Sequence, residues 1–472
     1  MQRLMPSPAP AGNDPATNNN GLCAVEDLRR FKSQLHHRLV TGMDLSALGS
    51  MTKEQLRVEV RRVADDLCQR SSNLLSRQER ERLVAEVLDE TFGLGPLEPL
   101  MNDPTISDIL INGYQTVYVE RNGQLELTDI TFNDAKHLLN IVQRIVGQAG
   151  RRVDETSPMV DSRLPDGSRI NAIVPPLALD GALVSIRRFG CKPIRAADLV
   201  ANKSIPQEMM DFLAACVQAR LNVLISGGTG SGKTTLLNVL SAFVPHDERV
   251  VTIEDAAELR LQQKHIGRLE TRPNNIEAAG EVTSRDLLRN ALRMRPDRII
   301  IGECRGQEAL DMLQAMNTGH EGGMTTIHAN DTRDALSRLE IMVGMAGFDL
   351  PLWVIRRQIA SAIHIVVQVS RLLGGARKVT RVSEVTGLEG DNFTMQDIFV
   401  FKQTGVDENR KAQGCFHATG LRPNCLERLT ALGAHVPPEL FERRVLNGVA
   451  NSDAAFRPAM SREFARAVGS AS

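Results

Sequence analysis

The sequence predicts an α/β protein: a domain with a mostly parallel sheet, preceded by an α+β domain and an N-terminal helical segment. From Leu221 onward, short apolar runs alternate with segments of helical periodicity, which is typical of a parallel sheet with right-handed crossovers. Between residues 93 and 192, strand-like segments are separated by turn signals. The 472 residues also exceed what one ordinary hydrophobic core accommodates, so we expect more than one domain.

The N-terminal part of the chain is predicted to change character at residue 93. Residues 1–21 are rich in Pro, Ala and Asn and are predicted to be disordered. Residues 22–92 carry apolar side chains at steps of three and four, which predicts helices. Their Arg- and Glu-rich faces are expected to be solvated surfaces, and a docking face for a partner is the alternative.

Residues 93–192 are predicted to form an α+β domain with an antiparallel sheet. Asn112-Gly113 and Asn122-Gly123 mark turns between strands, and residues 134–149 have helical periodicity. Four arginines lie on the predicted strands: Arg163, Arg169, Arg187 and Arg188. Composition favours ordinary surface charge for them, and contact with a nucleotide is the alternative.

The remainder of the chain is predicted to consist of three parts. Residues 193–205, with a proline near each end, are expected to form a linker. Residues 206–404 alternate strands and helices and are expected to form the nucleotide domain. Residues 405–472 form a C-terminal tail for which the sequence indicates no role.

The best-defined motif is the turn Gly227-Gly228-Thr229-Gly230-Ser231-Gly232-Lys233-Thr234, which lies between an apolar strand and a helix. This is the context of a phosphate-binding loop, in which backbone N–H groups and a helix N-terminus face one anion. Lys233 is placed to reach the β- and γ-phosphates, and the Thr234 hydroxyl to ligate Mg²⁺. The predicted nucleotide-binding residues are Gly228, Thr229, Gly230, Ser231, Gly232, Lys233, Thr234 and Thr235.

Ionisable side chains follow three further predicted strands. Glu254-Asp255 follows residues 249–253, Glu303 follows 298–302, and His328 follows 324–327. Because the carboxyl ends of parallel strands meet at one edge of a sheet, we expect these side chains to lie near Lys233.

Each of these groups has a predicted role in phosphoryl transfer. Glu303 is placed to act on water and on Mg²⁺, and Glu254 or Asp255 is expected to share the metal, with Thr234 as a further ligand. His320 and His328 are candidates for hydrogen bonds to the γ-phosphate. A buried structural histidine is the alternative for both.

Composition narrows the functional classes. The formal net charge is −1 and aromatic residues make up 4 %, which argues against a nucleic-acid-binding surface, so no direct nucleic-acid partner is expected. The seven cysteines include no CxxC pair, so neither a zinc site nor a disulfide framework is predicted, and a reducing cytosol fits. We see no signal peptide and no membrane-spanning run, so membrane association is expected to be peripheral, through partners.

Four motifs together resemble the ATPases of type II and type IV secretion and type IV pilus systems. Residues 227–234 match the Walker A loop, 252–258 resemble the Asp box, 292–303 the family's atypical Walker B, and 318–330 the His box. Further segments resemble the CpaF subgroup, which assembles tight-adherence (Flp) pili: residues 93–98, 163–169 and 333–340.

The resemblance implies a RecA-like P-loop domain that hydrolyses ATP with Mg²⁺, in a ring that is usually a hexamer. It implies that Arg163 and Arg169 approach the phosphates, and it adds these arginines to Lys233, Glu254, Glu303 and His328 as catalytic residues. It also implies a cytoplasmic motor at the inner membrane, bound to an integral platform protein. A type IV secretion traffic ATPase, a nucleic-acid helicase or translocase, and a scaffold that binds nucleotide without hydrolysis are the alternatives.

Overall fold

The computed structural model describes residues 58, 61–63, 65–66, 77–121, 123–188, 194–272, 280–408, 410–434 and 436–446. The predictions for residues 1–21 and for most of residues 22–76 lie outside the described residues. The chain divides into two compact units between residues 190 and 191, and each is described by itself.

The first unit is an antiparallel sheet with helices. Its described helices and strands are α1 (Arg77–Phe92), α2 (Glu98–Asn102), β1 (Ile106–Asn112), β2 (Thr116–Arg121), β3 (Gln124–Leu127), α3 (Ala135–Gln148), β4 (Met159–Arg163), β5 (Arg169–Ile173) and β6 (Leu183–Arg187). The strand order is β3-β2-β1-β6-β5-β4, and neighbouring strands are antiparallel throughout. An α+β arrangement was predicted for this part of the chain.

Helix α3 closes the core of the first unit. Asp134 caps the helix by accepting a hydrogen bond from the backbone N–H of His137, and the apolar stripe of the helix is buried with the inward side chains of the sheet. Gly95 has φ of +60°, and a Cβ there would lie 2.8 Å from Cδ1 of Ile141 in α3. The chain therefore needs glycine where the N-terminal helical pattern ends.

The second unit alternates strands and helices and then continues as strands. Its described helices and strands are α4 (Ala196–Ala201), α5 (Gln207–Gln218), β7 (Val223–Gly227), α6 (Lys233–Ser241), β8 (Val250–Glu254), β9 (Ile266–Glu270), α7 (Ser284–Ala291), β10 (Arg298–Ile301), α8 (Glu308–Asn317), β11 (Met324–Ile327), α9 (Thr332–Gly344), α10 (Leu352–Ala362), β12 (Ile365–Arg371), β13 (Arg377–Glu389), β14 (Asn392–Val406), β15 (Ala412–Ala418), α11 (Leu426–Ala431) and β16 (Arg444–Leu446).

Within the described residues, these strands form one sheet in the order β16-β15-β14-β13-β12-β7-β11-β10-β8-β9. The strands from β12 to β9 are mutually parallel, and those from β13 to β16 are added antiparallel. The central strands β7, β8, β10 and β11 are buried along their whole length, as expected of a parallel sheet covered on both faces. The predicted α/β fold class is confirmed.

The predicted boundary between residues 404 and 405 falls inside β14, which runs to Val406. Strands β15 and β16 extend the same sheet, and Phe416 and Leu446 are buried in its core. The described residues of the predicted tail therefore belong to the second unit. The last residues of β14 are exposed, so they show no alternation of apolar and polar side chains that would predict a strand.

Among the described residues, no helix combines the length and apolar character that crossing a bilayer requires.

Candidate functional site

Strand β7 leads directly into the glycine-rich turn. A Cβ on Gly227 would lie 2.3 Å from the carbonyl oxygen of Val369 and 2.6 Å from Oγ of Ser231, so no side chain fits there. Gly230 and Gly232 have φ of +66° and +101°, which other residues rarely adopt. The path of the loop is thus fixed by its glycines.

Lys233 is the first residue of α6, and its side chain folds back over the loop. The residue is 8 % exposed, and Nζ donates hydrogen bonds to the carbonyl oxygens of Gly227 and Gly228, each at 3.0 Å. A cation is therefore held above a helix N-terminus, where backbone N–H groups already favour an anion. Thr234 and Thr235 follow half-buried in the first turn of the helix.

The strand order places the predicted site residues at one edge of the sheet. Strands β8, β10, β11 and β7 are neighbours and parallel, so Glu254, Glu303, His328 and the loop all follow carboxyl ends. Nε2 of His328 lies 3.7 Å from Oε1 of Glu303. Burial and then the charge of Lys233 lower the pKa of His328, which keeps the ring neutral at neutral pH.

Glu303 is oriented by a residue that the sequence analysis did not select. Its Oε2 accepts hydrogen bonds from Nε and Nη2 of Arg305, at 2.9 and 2.6 Å. Nη1 of Arg305 also pairs with Asp255 at 3.2 Å, and these carboxylates raise its pKa against the opposing effect of burial. Arg305 thus occupies one oxygen of Glu303, while the other oxygen faces His328. Its position two residues after Glu303 was the signal available in the sequence.

Glu254 is buried to a far greater degree than Glu303. It is 4 % exposed, and its Oε1 accepts hydrogen bonds from the backbone N–H groups of Glu258 and Leu259, both at 2.8 Å. Among the described residues, Oε2 has no hydrogen-bond partner. A Cβ on Gly302 would lie 2.9 Å from Cγ of Glu254, so the glycine before Glu303 is what admits this side chain.

Of the two adjacent acids Glu254 and Asp255, Asp255 is the less suitable ligand for Mg²⁺. It is exposed, its Oδ2 pairs with Arg305, and its Oδ1 accepts from Oγ of Ser284 at 3.3 Å. These contacts tie it to the surface network around Arg305.

His320 was the other candidate for a hydrogen bond to the γ-phosphate, with a buried structural histidine as the alternative. His320 precedes β11, whereas His328 follows it, so the two lie at opposite ends of this strand. Beside His320, the N–H groups of Gly322 and Gly323 donate to Oδ1 of Asn222, the residue before β7, at 2.8 and 2.9 Å. His320 therefore lies at the amino edge of the sheet, away from the loop.

The residues at the carboxyl edge fit Mg²⁺ bound together with a nucleotide. Across the described residues, no three His, Cys, Asp or Glu side chains converge to hold a metal by themselves. Mg²⁺ in nucleotide sites instead takes one or two protein oxygens, waters and phosphate oxygens. The unpartnered, buried Oε2 of Glu254 is an acceptor of the kind such a hydrated ion requires.

The pKa of Glu254 gives a pH dependence that can be measured. Burial raises it from 4.5 to about 7, against the two backbone hydrogen bonds that lower it. Between these values the folded protein keeps a proton that the unfolded chain releases, so the free energy of unfolding falls as pH rises through this window. Without nucleotide or Mg²⁺, we expect Tm to decrease from about pH 5 to about pH 7.5 by more in the wild type than in Glu254→Gln. Equal pH slopes in thermal melts would contradict this account of Glu254.

The arginines predicted to approach the phosphates belong to the first unit. Arg163 on β4, Arg169 on β5 and Arg187 on β6 are direct cross-strand neighbours. Nη2 of Arg169 pairs with Asp161 at 3.0 Å, and Nε of Arg163 donates to the carbonyl oxygen of Gly167 at 3.3 Å. Nε of Arg187 pairs with Asp108 at 3.4 Å, so acidic side chains of the same unit offset part of the repulsion between these like charges.

Comparison with known proteins identifies the family. The family described as "Type II/IV secretion system protein" matches residues 90–422. The chain belongs to this family. A putative conjugal transfer protein of Mycobacterium tuberculosis (strain ATCC 25618 / H37Rv) is 38 % identical over 307 residues, which cover 64 % of this chain and 87 % of that protein. The conjugal transfer protein TrbB of Rhizobium radiobacter is 31 % identical over 297 residues, covering 62 % and 88 % of the two chains.

A solved structure of the VirB11 ATPase from the Brucella suis type IV secretion system is 29 % identical and covers 62 % of this chain and 97 % of that one, with a TM-score of 0.34. Membership of the type II/IV secretion family confirms the resemblance stated above at the level of the family.

Proposed function

We propose that this chain is a motor ATPase that hydrolyses ATP to ADP and phosphate and powers assembly of an Flp or type IV-like pilus, or protein secretion, at the inner membrane. The observation that carries the proposal is the folding of Lys233 over the glycine-rich loop, at the sheet edge that also holds Glu303 and His328. A cation, a carboxylate and a neutral imidazole at one helix N-terminus are the groups that phosphoryl transfer to water requires.

The proposed roles follow from these contacts. Lys233 and the loop N–H groups bind the β- and γ-phosphates. Oε1 of Glu303 accepts the proton of the attacking water, while Arg305 fixes the carboxylate through Oε2. The neutral ring of His328 donates a hydrogen bond to the γ-phosphate. Thr234 and Glu254 would hold Mg²⁺ together with the bound nucleotide, and the ion would supply positive charge against the phosphate oxygens.

A cavity beside the loop supports a nucleotide rather than inorganic phosphate as the ligand. It measures about 250 Å³ and adjoins Ser231, Gly232 and Thr235 of the loop and α6. The apolar residues that line the rest of the cavity are Ile194, Leu199, Leu236, Val369, Ala376 and Val379. The other lining residues are Asn202, Ser204, Gly375, Arg377 and Lys378. Such a wall suits a base and a ribose attached to phosphates in the loop.

We further propose a homo-oligomeric ring, a hexamer as in the resembling ATPases, which acts at the cytoplasmic face of the membrane through a platform protein. The row of Arg163, Arg169 and Arg187 supports a role for the first unit at a phosphate. The CpaF-like segments favour pilus assembly. The names of the relatives, which include conjugal transfer proteins, favour a type IV secretion traffic ATPase as the second candidate.

Phosphate release by the purified full chain tests the proposed function. We expect ATP- and Mg²⁺-dependent release that single-stranded DNA changes by less than about twofold, because the low aromatic content offers few stacking surfaces. A large stimulation by single-stranded DNA would favour a helicase or translocase. Binding of ATP without any release would favour a scaffold.

Arg163→Ala and Arg169→Ala test the role of the first unit. We expect each to slow hydrolysis at least about tenfold with little change in ATP affinity, because an arginine at the phosphates acts on the charge of the transition state. Arg151→Ala, an exposed arginine of the same unit, is the matched control. Unchanged rates would return Arg163 and Arg169 to the surface-charge interpretation.

A further inference from the structure

The first residue of β13 contacts the phosphate-binding loop from another part of the sheet. Nε of Arg377 donates to the carbonyl oxygen of Gly230 at 2.9 Å, and its Cδ lies 3.5 Å from the position of a Cβ on Gly232. Arg371, its register partner on β12, lies close to Gly230 as well, with Nη1 3.5 Å from the corresponding Cβ position. Two guanidinium groups thus flank the two loop glycines with positive φ.

The next two residues of the same strand hold a segment near the start of the second unit. Nζ of Lys378 donates a hydrogen bond to the carbonyl oxygen of Lys203 at 2.7 Å. The backbone N–H of Val379 donates to the carbonyl oxygen of Ser204 at 2.9 Å. The ammonium of Lys378 also lies over the rings of Phe401 and Phe416, 5.6 and 5.7 Å from their centroids. Residues 203 and 204 are therefore fastened to β13.

Residues of the segment, of the loop and α6, and of β13 line the same cavity: Leu199 and Ser204, Ser231 and Thr235, and Arg377 to Val379. The hydrogen bonds named above join the segment to the loop by way of β13. The backbone of these three residues is paired with β12 on one side, and on the other side Val379 donates its hydrogen bond to Ser204.

We propose that residues 377–379 couple the phosphate-binding loop to residues 203 and 204, near the start of the second unit, with Arg377 as the positioning residue. The proposal rests on the proposed function, since the ligand that acts on the loop is a nucleoside triphosphate. In the structure, the guanidinium of Arg377 donates to the carbonyl oxygen of Gly230. The phosphates of the bound nucleotide attract this guanidinium and shift the start of β13. The shift is passed to residues 203 and 204 through the hydrogen bonds of Lys378 and Val379.

Amide hydrogen exchange of the full chain tests this coupling. Arg377→Ala and Lys378→Met are compared with Arg381→Ala, which removes an arginine of the same strand that pairs with Asp397 at 2.7 Å. The probe is a non-hydrolysable ATP analogue with Mg²⁺, added at saturation for each protein. ATP affinity and kcat are measured in parallel, and Arg377→Lys tests rescue by a retained charge.

In the wild type and in Arg381→Ala we expect the analogue to change exchange both in the loop and in residues 194–206. In Arg377→Ala and Lys378→Met the loop should still respond, while the change in residues 194–206 falls by at least about half and kcat by about tenfold. We expect Arg377→Lys to restore part of both readouts.

Three results would overturn the coupling: a full response of residues 194–206 in both variants, no response there in the wild type, or a loss of activity in Arg377→Ala that is confined to a higher KM for ATP with kcat unchanged. The failure of the proposed function looks different, because a wild type that neither binds nor hydrolyses ATP would show no response in the loop itself. Circular dichroism melts identify a variant that has not folded. If either Arg377→Ala or Lys378→Met fails to fold, the exchange response of the other variant decides whether the coupling exists.

Discussion

Glu303→Gln is expected to lower the turnover of ATP by about 10²–10⁴-fold and to leave ATP affinity within about threefold. The amide has nearly the size of the carboxylate and still accepts a hydrogen bond from Arg305, so the geometry of the edge is kept. It no longer accepts a proton from water. Steady-state phosphate release and equilibrium binding of a fluorescent ATP analogue separate the two effects.

Glu321→Gln is the matched control for Glu303, because Glu321 precedes β11 and pairs with Arg428 at the amino edge of the sheet. We expect it to hydrolyse ATP at the wild-type rate. Normal turnover by Glu303→Gln would show that the catalytic carboxylate has been chosen wrongly.

Glu254 is the competing candidate for the general base, and two properties of it point in different directions. A pKa of about 7 suits proton transfer at neutral pH. However, its Oε1 already accepts two backbone hydrogen bonds and the side chain is almost fully buried, whereas Glu303 presents Oε1 toward His328. Geometry takes precedence over pKa in choosing a base, so we assign the proton to Glu303 and the metal to Glu254.

Lys233→Ala is expected to reduce hydrolysis by at least about 100-fold and to weaken ATP binding by at least about tenfold. The substitution removes the cation that lies over the loop carbonyl oxygens, so the phosphates lose a charge-assisted contact in both the bound and the transition state. Lys233→Arg should not restore activity, because a planar guanidinium does not fit a buried site built around one ammonium.

Lys264→Ala, which removes an exposed lysine of the same unit, is the matched control. The measurements are the ATP dependence of phosphate release and thermal melts with and without ATP. Hydrolysis by Lys233→Ala at the rate of the control would contradict the assignment of the loop as the phosphate site.

Strong local periodicity made most of the elements predictable. The predicted strand 298–302 and helix 308–318 correspond to β10 (Arg298–Ile301) and α8 (Glu308–Asn317), since a buried parallel strand is an unbroken apolar run and a helix keeps its apolar stripe. Strand β9 was not predicted: it is an edge strand whose residues are only partly buried, and it therefore carries little apolar signal. Strands β13 and β14 were also missed, although Val382 and Phe399 are buried, because register shifts interrupt the alternation of buried and exposed residues along them.

The site residues that directly follow a strand could be predicted from the sequence. Glu254, Glu303 and His328 each lie at the carboxyl end of a predicted parallel strand, so the sequence places them at one edge of the sheet. Arg305 was not selected, although it lies two residues after Glu303, because its second pairing, with Asp255, depends on how β8 and β10 end side by side. The motif that contains His320 and His328 spans both ends of β11, so the sequence alone did not separate these two candidates.

The sequence alone determined the family, the α/β class and the glycine-rich loop with its lysine, because these depend on residue types at short, fixed spacings. The tertiary structure decided which oxygen of each acid is available, which histidine lies at the loop edge, and that β13 contacts both the loop and residues 203–204. The contacts of β13 join residues 147 and 175 positions apart, and those among Asp255, Glu303, Arg305 and His328 join the ends of different strands. Strand order and burial set such contacts, and no local pattern encodes them.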